Sequence, residues 1–352
     1  MKKLSMLIVK ALAVGLLTTF GLAEFKPPSG EIKGYMINEY YSVLSHHNKD
    51  IEGRHGFWFR RIYFTYNNKL TENIKMRLRF EMNSPGDFES STTLNAFVKD
   101  AYLNFKLSGQ DVKVGIISPP TFDNIESIWG YRVLEKTPLD LYKLRSSRDF
   151  GIALKGNLDS KKAISYELMF GNGSSNKAET DKGKIFYGQL GFKPVEGLYL
   201  EVYGDYENQK DEKSYYVYQG FASYQGNWGR AGVQYSNKHF KQEIDGEDSI
   251  NYDYQIFSVF AVIKVAKDLE LIGRYDRAFG DGFETSFQGY KISYIPFADN
   301  AVSNLIIGAV SWNATKNVWL IPNIKYVIYD DLDEGEKPSE DIYANLTLWF
   351  KF

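Results

Sequence analysis

Between residues 74 and 83 apolar and polar side chains alternate without a break. Ile74, Met76, Leu78, Phe80 and Met82 fall on one face, and Lys75, Arg77, Arg79, Glu81 and Asn83 on the other. Successive side chains of a strand point to opposite faces, so a period of two this strict specifies an amphipathic β-strand. Wound as a helix, the segment would carry charge on every side. The pattern returns at 100–106, 164–170, 198–206 and 269–276. With 16% aromatic residues and a mean hydropathy of −0.36, the chain is rich in rings yet polar on average. Strands that divide two environments produce that combination; helices apolar all round do not.

The connections alternate as well. Short ones at 70–73, 108–109, 194–196 and 265–267 are interleaved with long polar ones at 44–55, 84–95, 118–147, 172–182, 208–214, 237–251, 277–302 and 330–340. Short turns on one rim and long loops on the other are the arrangement of a transmembrane β-barrel. Sixteen strands fit the chain, the eleventh at 228–236 and the thirteenth at 267–276. Residues 287–296 have the look of another strand. Both termini on one rim require an even number, which leaves that segment in a long surface loop; eighteen strands would need one more elsewhere. The expectation is an all-β chain, an antiparallel transmembrane barrel forming one domain over 24–352.

Residues 1–23 read differently. Lys2 and Lys3 precede an apolar stretch from Leu4 to Leu22, and Gly21-Leu22-Ala23 offers the small residues of a cleavage site. This is the pattern of a signal peptide cut after Ala23, which implies export. Lys10 leaves the apolar run short for a membrane anchor, and no later run of about 18 apolar residues suggests a transmembrane helix. There is no cysteine, so disulfides, thiolate metal sites and a cysteine nucleophile are excluded. A net charge of −2 is not that of a nucleic-acid binder.

In lipid, backbone polar groups must be paired internally, which strands achieve only by closing. The apolar face then meets the lipid bilayer and the polar face lines the lumen. In the last strand Ile342, Ala344, Leu346, Leu348, Phe350 and Phe352 form the lipid face, and Tyr343, Asn345, Thr347, Trp349 and Lys351 the lumen face. A terminal Phe on such a strand resembles the signal that outer-membrane proteins in general present to the outer-membrane assembly machinery.

The same parity sends Lys75, Arg77 and Arg79 inward, about 6–7 Å apart along the strand. Arg61 on the neighbouring strand shares it, and Lys106, Lys113 and Lys155 extend the cluster. Such a basic ladder lowers the energy of a passing anion, as charged rings do in channels. Arginine forks suit phosphate. The bland alternative is that these cations pair with the lumen acids Glu81, Asp100, Asp149 and Glu167. Later strands carry Glu201, Asp205, Asp253, Glu270 and Asp276. A lumen basic on one side and acidic on the other is therefore expected.

Two stretches carry a family resemblance. The first is Phe57-Trp58-Phe59-Arg60-Arg61-Ile62-Tyr63-Phe64, a second strand with a double Arg. The second is Lys113-Val114-Gly115-Ile116, then Pro119-Pro120-Thr121-Phe122, a long loop, and Arg148-Asp149-Phe150-Gly151. Over roughly 56–156 the chain resembles the phosphate-selective porin O and P family of the outer membrane. The resemblance implies sixteen strands, a homotrimer, and a water-filled channel for small ions and solutes, in some members phosphate. It makes 118–147 an inward-folded constriction loop. That loop carries Arg132, Lys136, Lys143 and Arg145 beside Asp123, Glu126, Glu135 and Asp140, a departure from a purely anion-collecting loop.

Two other functions compete. A surface adhesin or structural barrel would close its lumen and act through loops 237–251 or 277–302. A barrel enzyme would need a histidine on the wall, yet His46, His47, His55 and His239 fall in or beside loops by this reading. No P-loop, GxSxG or HExxH motif is present. No cofactor is expected, and His46-His47 reads as a solvated pair rather than a metal site.

Overall fold

The computed structural model describes residues 30–180, 182–209, 213–244, 249–332 and 335–352. The expected signal peptide lies outside them. The strands run β1 (Glu31–Ser45), β2 (His55–Lys69), β3 (Ile74–Asn83), β4 (Asn95–Leu107), β5 (Gln110–Ile117), β6 (Asp149–Asn157), β7 (Ile164–Gly171) and β8 (Lys184–Phe192). The second half continues with β9 (Leu198–Asn208), β10 (Lys213–Gly226), β11 (Gly229–Gln242), β12 (Ile250–Ala266), β13 (Leu269–Phe279), β14 (Ser303–Thr315), β15 (Val318–Tyr329) and β16 (Asp341–Lys351). Each strand pairs antiparallel with its sequence neighbours, and β1 closes on β16. The protein is a closed, sixteen-stranded antiparallel barrel.

At the seam Gly34 and Phe352 exchange both backbone hydrogen bonds at 3.0 Å. A Cβ on Gly34 would stand 2.2 Å from the Phe352 ring, so only the bare backbone of glycine lets the last residue dock there.

The wall inverts the distribution of a water-soluble protein. Phe64, Phe186, Val202, Leu271, Ile324 and Leu346 are exposed on its outside, while Glu201, Gln219, Gln234, Asp276, Lys325 and Thr347 are buried within. Apolar outside and polar inside is the signature of a barrel solvated by lipid.

Two loops fold into the barrel. Residues 118–148 hold the short helices α1 (Phe122–Trp129) and α2 (Pro138–Leu141). Residues 280–302 hold α3 (Asp281–Thr285) and a 3-10 turn at Gly289–Lys291. Phe122, Trp129, Leu139 and Tyr142 from the first and Phe283, Ile295 and Phe297 from the second are almost wholly buried. The segment 287–296 is thus no strand, as parity required. It is also no surface loop: Phe287, Ile292, Tyr294 and Ile295 pack inside.

A second correction concerns β11. Lys238, His239, Phe240 and Lys241 suggested the start of a loop, yet they pair in register with Tyr254, Asp253, Tyr252 and Asn251. Backbone pairing to β12 overrides their polarity, and the connection shrinks to 243–249. β13 likewise runs on to Phe279.

Two β-bulges matter for the lumen. Ile37 pairs with Arg61 and Asn38 with Phe59, so Arg60 is an extra residue in β2. Arg79 pairs with Asp100 and Phe80 with Val98, so Lys99 is an extra residue in β4. A bulge breaks the alternation locally and re-aims a side chain. Arg60 and Arg61, and likewise Lys99 and Asp100, therefore all turn inward, on the two strands that flank β3.

Candidate functional site

The inward loop 118–148 is fixed to the wall at several points. At its start the Thr121 hydroxyl donates to Glu201 and accepts from Gln219 at 2.7 Å. Helix α1 ends on Gly130, whose left-handed φ of 70° a glycine adopts without strain. Trp129 is 1% exposed, packs edge-on against Phe260, and donates its indole N–H to the Glu135 carbonyl at 2.9 Å. The Glu135 carboxylate lies between Arg60 of β2 and Lys325 of β15, 2.9 Å from each. All three are buried, and Glu39 adds a second acid 3.5 Å from Arg60. On the way out, Arg145 forks onto Asp205 and reaches Glu207 at 2.6 Å. Planar guanidinium groups suit such two-oxygen contacts.

The basic ladder lies on β2–β4, where Arg148 from the end of this loop joins it. Arg61 binds Glu81 at 2.8 Å, and Lys99 binds the same carboxylate at 3.1 Å. Arg79 stands 3.3 Å and Arg77 4.0 Å from Asp100, which Arg148 also contacts. Five cations thus share two carboxylates. Arg77 and Arg79 are also tied to Asn67 at 2.9 Å and Thr65 at 2.8 Å. Their side chains keep 34% and 19% exposure inside the barrel, so they face lumen water. A cavity of about 490 Å³ adjoins them, walled by Tyr35, Tyr63 and Lys351.

The remaining candidates divide. Lys155 pairs with Glu167 at 2.9 Å, and Lys113 sits over the Tyr102 ring at 5.6 Å. Lys75 and Lys106 are exposed beside the short turns. In the inward loop Arg132 bridges Glu126 at 2.8 Å and Asp140 at 2.6 Å, with Lys136 3.7 Å from Asp140. Lys143 reaches away from the ladder, to the Lys291 carbonyl. Pairing and charge surplus therefore coexist. Arg61, Lys155, Arg132, Lys136 and Arg145 each contact an acid, in part shared, while three arginines contact the single carboxylate of Asp100.

The opposite wall differs. Glu201 is held by Asn124 and Gln189, each at 3.0 Å, and by the Thr121 and Tyr199 hydroxyls. These are neutral partners. The other later acids are less free: Asp205 pairs with Arg145 and Asp276 with Arg274 at 2.5 Å each, so the acidic side suggested by the strand order is largely neutralised.

Sequence reasoning missed Arg60, Lys99, Arg148 and Lys325. For the first two a signal existed: adjacent charges at 60–61 and 99–100 inside otherwise alternating strands mark a bulge. The histidine placement needs correcting too. His55 opens β2, and His239 lies within β11, 3.1 Å from Asp253. His46 and His47 are not solvated. His46 is 0% exposed, and with His47 and Asp341 it places three ligand-type atoms within 4.8 Å. However, His46 Nδ1 accepts from the Asn48 N–H at 2.9 Å, and His47 Nδ1 is 2.9 Å from Asp341. The group reads as a hydrogen-bonded latch joining the first loop to β16.

No protein-family model and no curated protein sequence matches the chain. Solved structures do. The anion-selective porin from Comamonas acidovorans superposes with a TM-score of 0.67 at 12% identity, covering 93% of this chain and 100% of that one. The outer membrane channel DcaP of Acinetobacter baumannii gives 0.65 at 12% identity, covering 94% and 100%. A trimer form of OmpT, an outer membrane protein of Vibrio cholerae, gives 0.62 at 12% identity, covering 93% and 100%. At this identity the likeness is one of fold: the chain has the architecture of outer-membrane porins.

Proposed function

We propose that this protein is an outer-membrane porin, a non-enzymatic diffusion channel for small hydrophilic solutes and ions that favours anions. The observation that carries this reading is the surplus of positive charge around Asp100. Arg77 and Arg79, which face lumen water, share the Asp100 carboxylate with the buried Arg148. Charge that the protein leaves uncompensated is available to a passing ion. The planar forks suit oxyanions, so inorganic phosphate belongs to the accepted class. The inward loop with Arg132 and Lys136 forms the opposite side of the constriction. The fold-mate from Comamonas is itself described as anion-selective.

The adhesin reading loses support from the loops. The connection 243–249 is short, and 280–302 places its apolar side chains inside the barrel. A trimer is the assembly in which we expect the channel to work.

The test is the reversal potential of purified protein in a planar bilayer under a potassium chloride gradient. A potential of the sign set by chloride, shifted by added phosphate, supports the proposal. Cation preference would remove the anion reading, and absence of conductance the channel itself. Crosslinking in native membranes reads the oligomer.

A further inference from the structure

A second cluster of cations lies apart from the ladder, between the two inward loops. Lys143 comes from the loop 118–148, Lys291 from the 3-10 turn of 280–302, and Lys238 from β11. All three line one cavity of about 220 Å³. Among the described residues no carboxylate lines it. Described acids nearby have other partners: Asp140 holds Arg132, Asp205 and Glu207 hold Arg145, and Asp281 accepts the backbone N–H groups of Asp253 and Gly282. Lys143 donates to the carbonyl of Lys291, a contact that satisfies hydrogen bonding without neutralising charge. Lys238 lies over the Tyr215 ring at 4.3 Å. Burial and the nearby charges of Lys136 and Lys291 lower the Lys143 pKa, with Asp140 opposing them more weakly.

The rest of the lining is mostly apolar, Tyr142, Leu144, Tyr254, Phe287 and Ile292 beside the polar Ser286 and Gln288. Tyr142, Phe287 and Ile292, which pack into the core between the loops, form the apolar floor of the cavity. An inorganic anion would satisfy the lysines and leave this surface against water. A neutral apolar solute would cover the surface and leave the charges unmatched. Pockets bind best what meets both demands, an apolar body with a few fixed polar contacts. Lysines present compact charges rather than a planar fork, which suits a single acidic head approached from several sides.

The geometry points to a docking site for a small organic carboxylate with a ring-sized apolar body, held between the loops 118–148 and 280–302. Its acid group lies among Lys143, Lys238 and Lys291, and its body lies against Tyr142, Phe287 and Ile292. The cavity is on the long-loop side of the constriction, so the site loads before the solute meets the ladder. This deepens the channel reading and rests on it for its role in transport, though not for binding itself.

The test uses benzoate as the probe and benzyl alcohol as its uncharged isostere, with the full-length purified protein in detergent. Isothermal titration calorimetry is expected to show saturable benzoate binding and no competition from benzyl alcohol. The double variant Lys143→Gln/Lys291→Gln lowers the affinity at least about tenfold. Lys238→Gln, on the wall and outside both loops, lowers it independently, and heat-shifted gel mobility reports folding of each variant. In bilayers, benzoate reduces current when added on the long-loop side only. Binding that persists in a protein without conductance supports the site while removing the channel reading. Absence of binding, equal binding of benzyl alcohol, or unchanged affinity in folded lysine variants would overturn the proposal.

Discussion

Arg60 and Glu135 meet at 2.9 Å, a residue of the wall and a residue of the inward loop, both shut away from solvent. Lys325 takes the same carboxylate from the far side at 2.9 Å. Neither cation can be left alone there without cost, because a buried charge deprived of its partner destabilises by several kcal/mol.

Glu135→Gln therefore strands Lys325, leaves Arg60 only Glu39, and costs about 3–5 kcal/mol. The loop 118–148 should loosen before the barrel opens. Limited proteolysis should cut within that loop in the variant and not in the parent, and single-channel traces should become noisier. A variant as resistant as the parent would mean the loop is held by its apolar contacts alone.

Arg77→Gln/Arg79→Gln removes two water-facing charges. A unit charge ~7 Å from an ion is worth ~0.6 kcal/mol in water, roughly threefold in local ion population. The anion-to-cation permeability ratio should fall severalfold, most clearly at low salt where screening is weak. Lys75→Gln, exposed at the rim, should change it far less.

The chain has no cysteine, so single-cysteine labelling reads the wall directly. Arg77→Cys should react with a charged, water-soluble thiol reagent and Leu78→Cys only with an apolar one. Lys99→Cys and Asp100→Cys should both take the charged reagent, although they are neighbours. Alternating labelling at 99 and 100 would remove the bulge.

Burial pushes the pKa of His46 down to about 4, opposed by the nearby Asp341 carboxylate. An unfolded histidine binds its proton near pH 6.5. Between these values the unfolded chain takes up a proton that the folded one refuses, so stability falls as pH drops from about 6.5 towards 4. Hydrogen exchange of the loop 46–54 should accelerate over that range. In His46→Gln the acceleration should largely disappear; if it is unchanged, another group is responsible.

The sequence carried the barrel because lipid and lumen impose a period of two on every strand, which burial at β9, β13 and β16 reproduces. Arg61, Arg77 and Arg79 were legible for the same reason. Arg60 and Lys99 were not read inward, because a rule of parity cannot place a residue that breaks parity. The fate of the loops was hidden differently. Pairing with β12 decides whether Lys238 is strand or loop, and the space left in the lumen decides whether Phe287 and Tyr294 go inside. Both are properties of the closed barrel. The unusual density of rings in 280–302 was the one local sign that this loop would not remain in water.

The bonds between Gly34 and Phe352 join the two ends of the described wall. They extend a register running from Tyr35–Lys351 to Ser45–Ile342; until it forms, β1 and β16 are both open edges, and in lipid an open edge leaves a row of unpaired amides and carbonyls. Closure joins strands about 300 residues apart in sequence, and such distant contacts are slow to make. The ladder and the inward loops can hold their geometry only after that step. The rate at which this chain becomes a functional wall is therefore set at its seam, far from the charges that give the lumen its character.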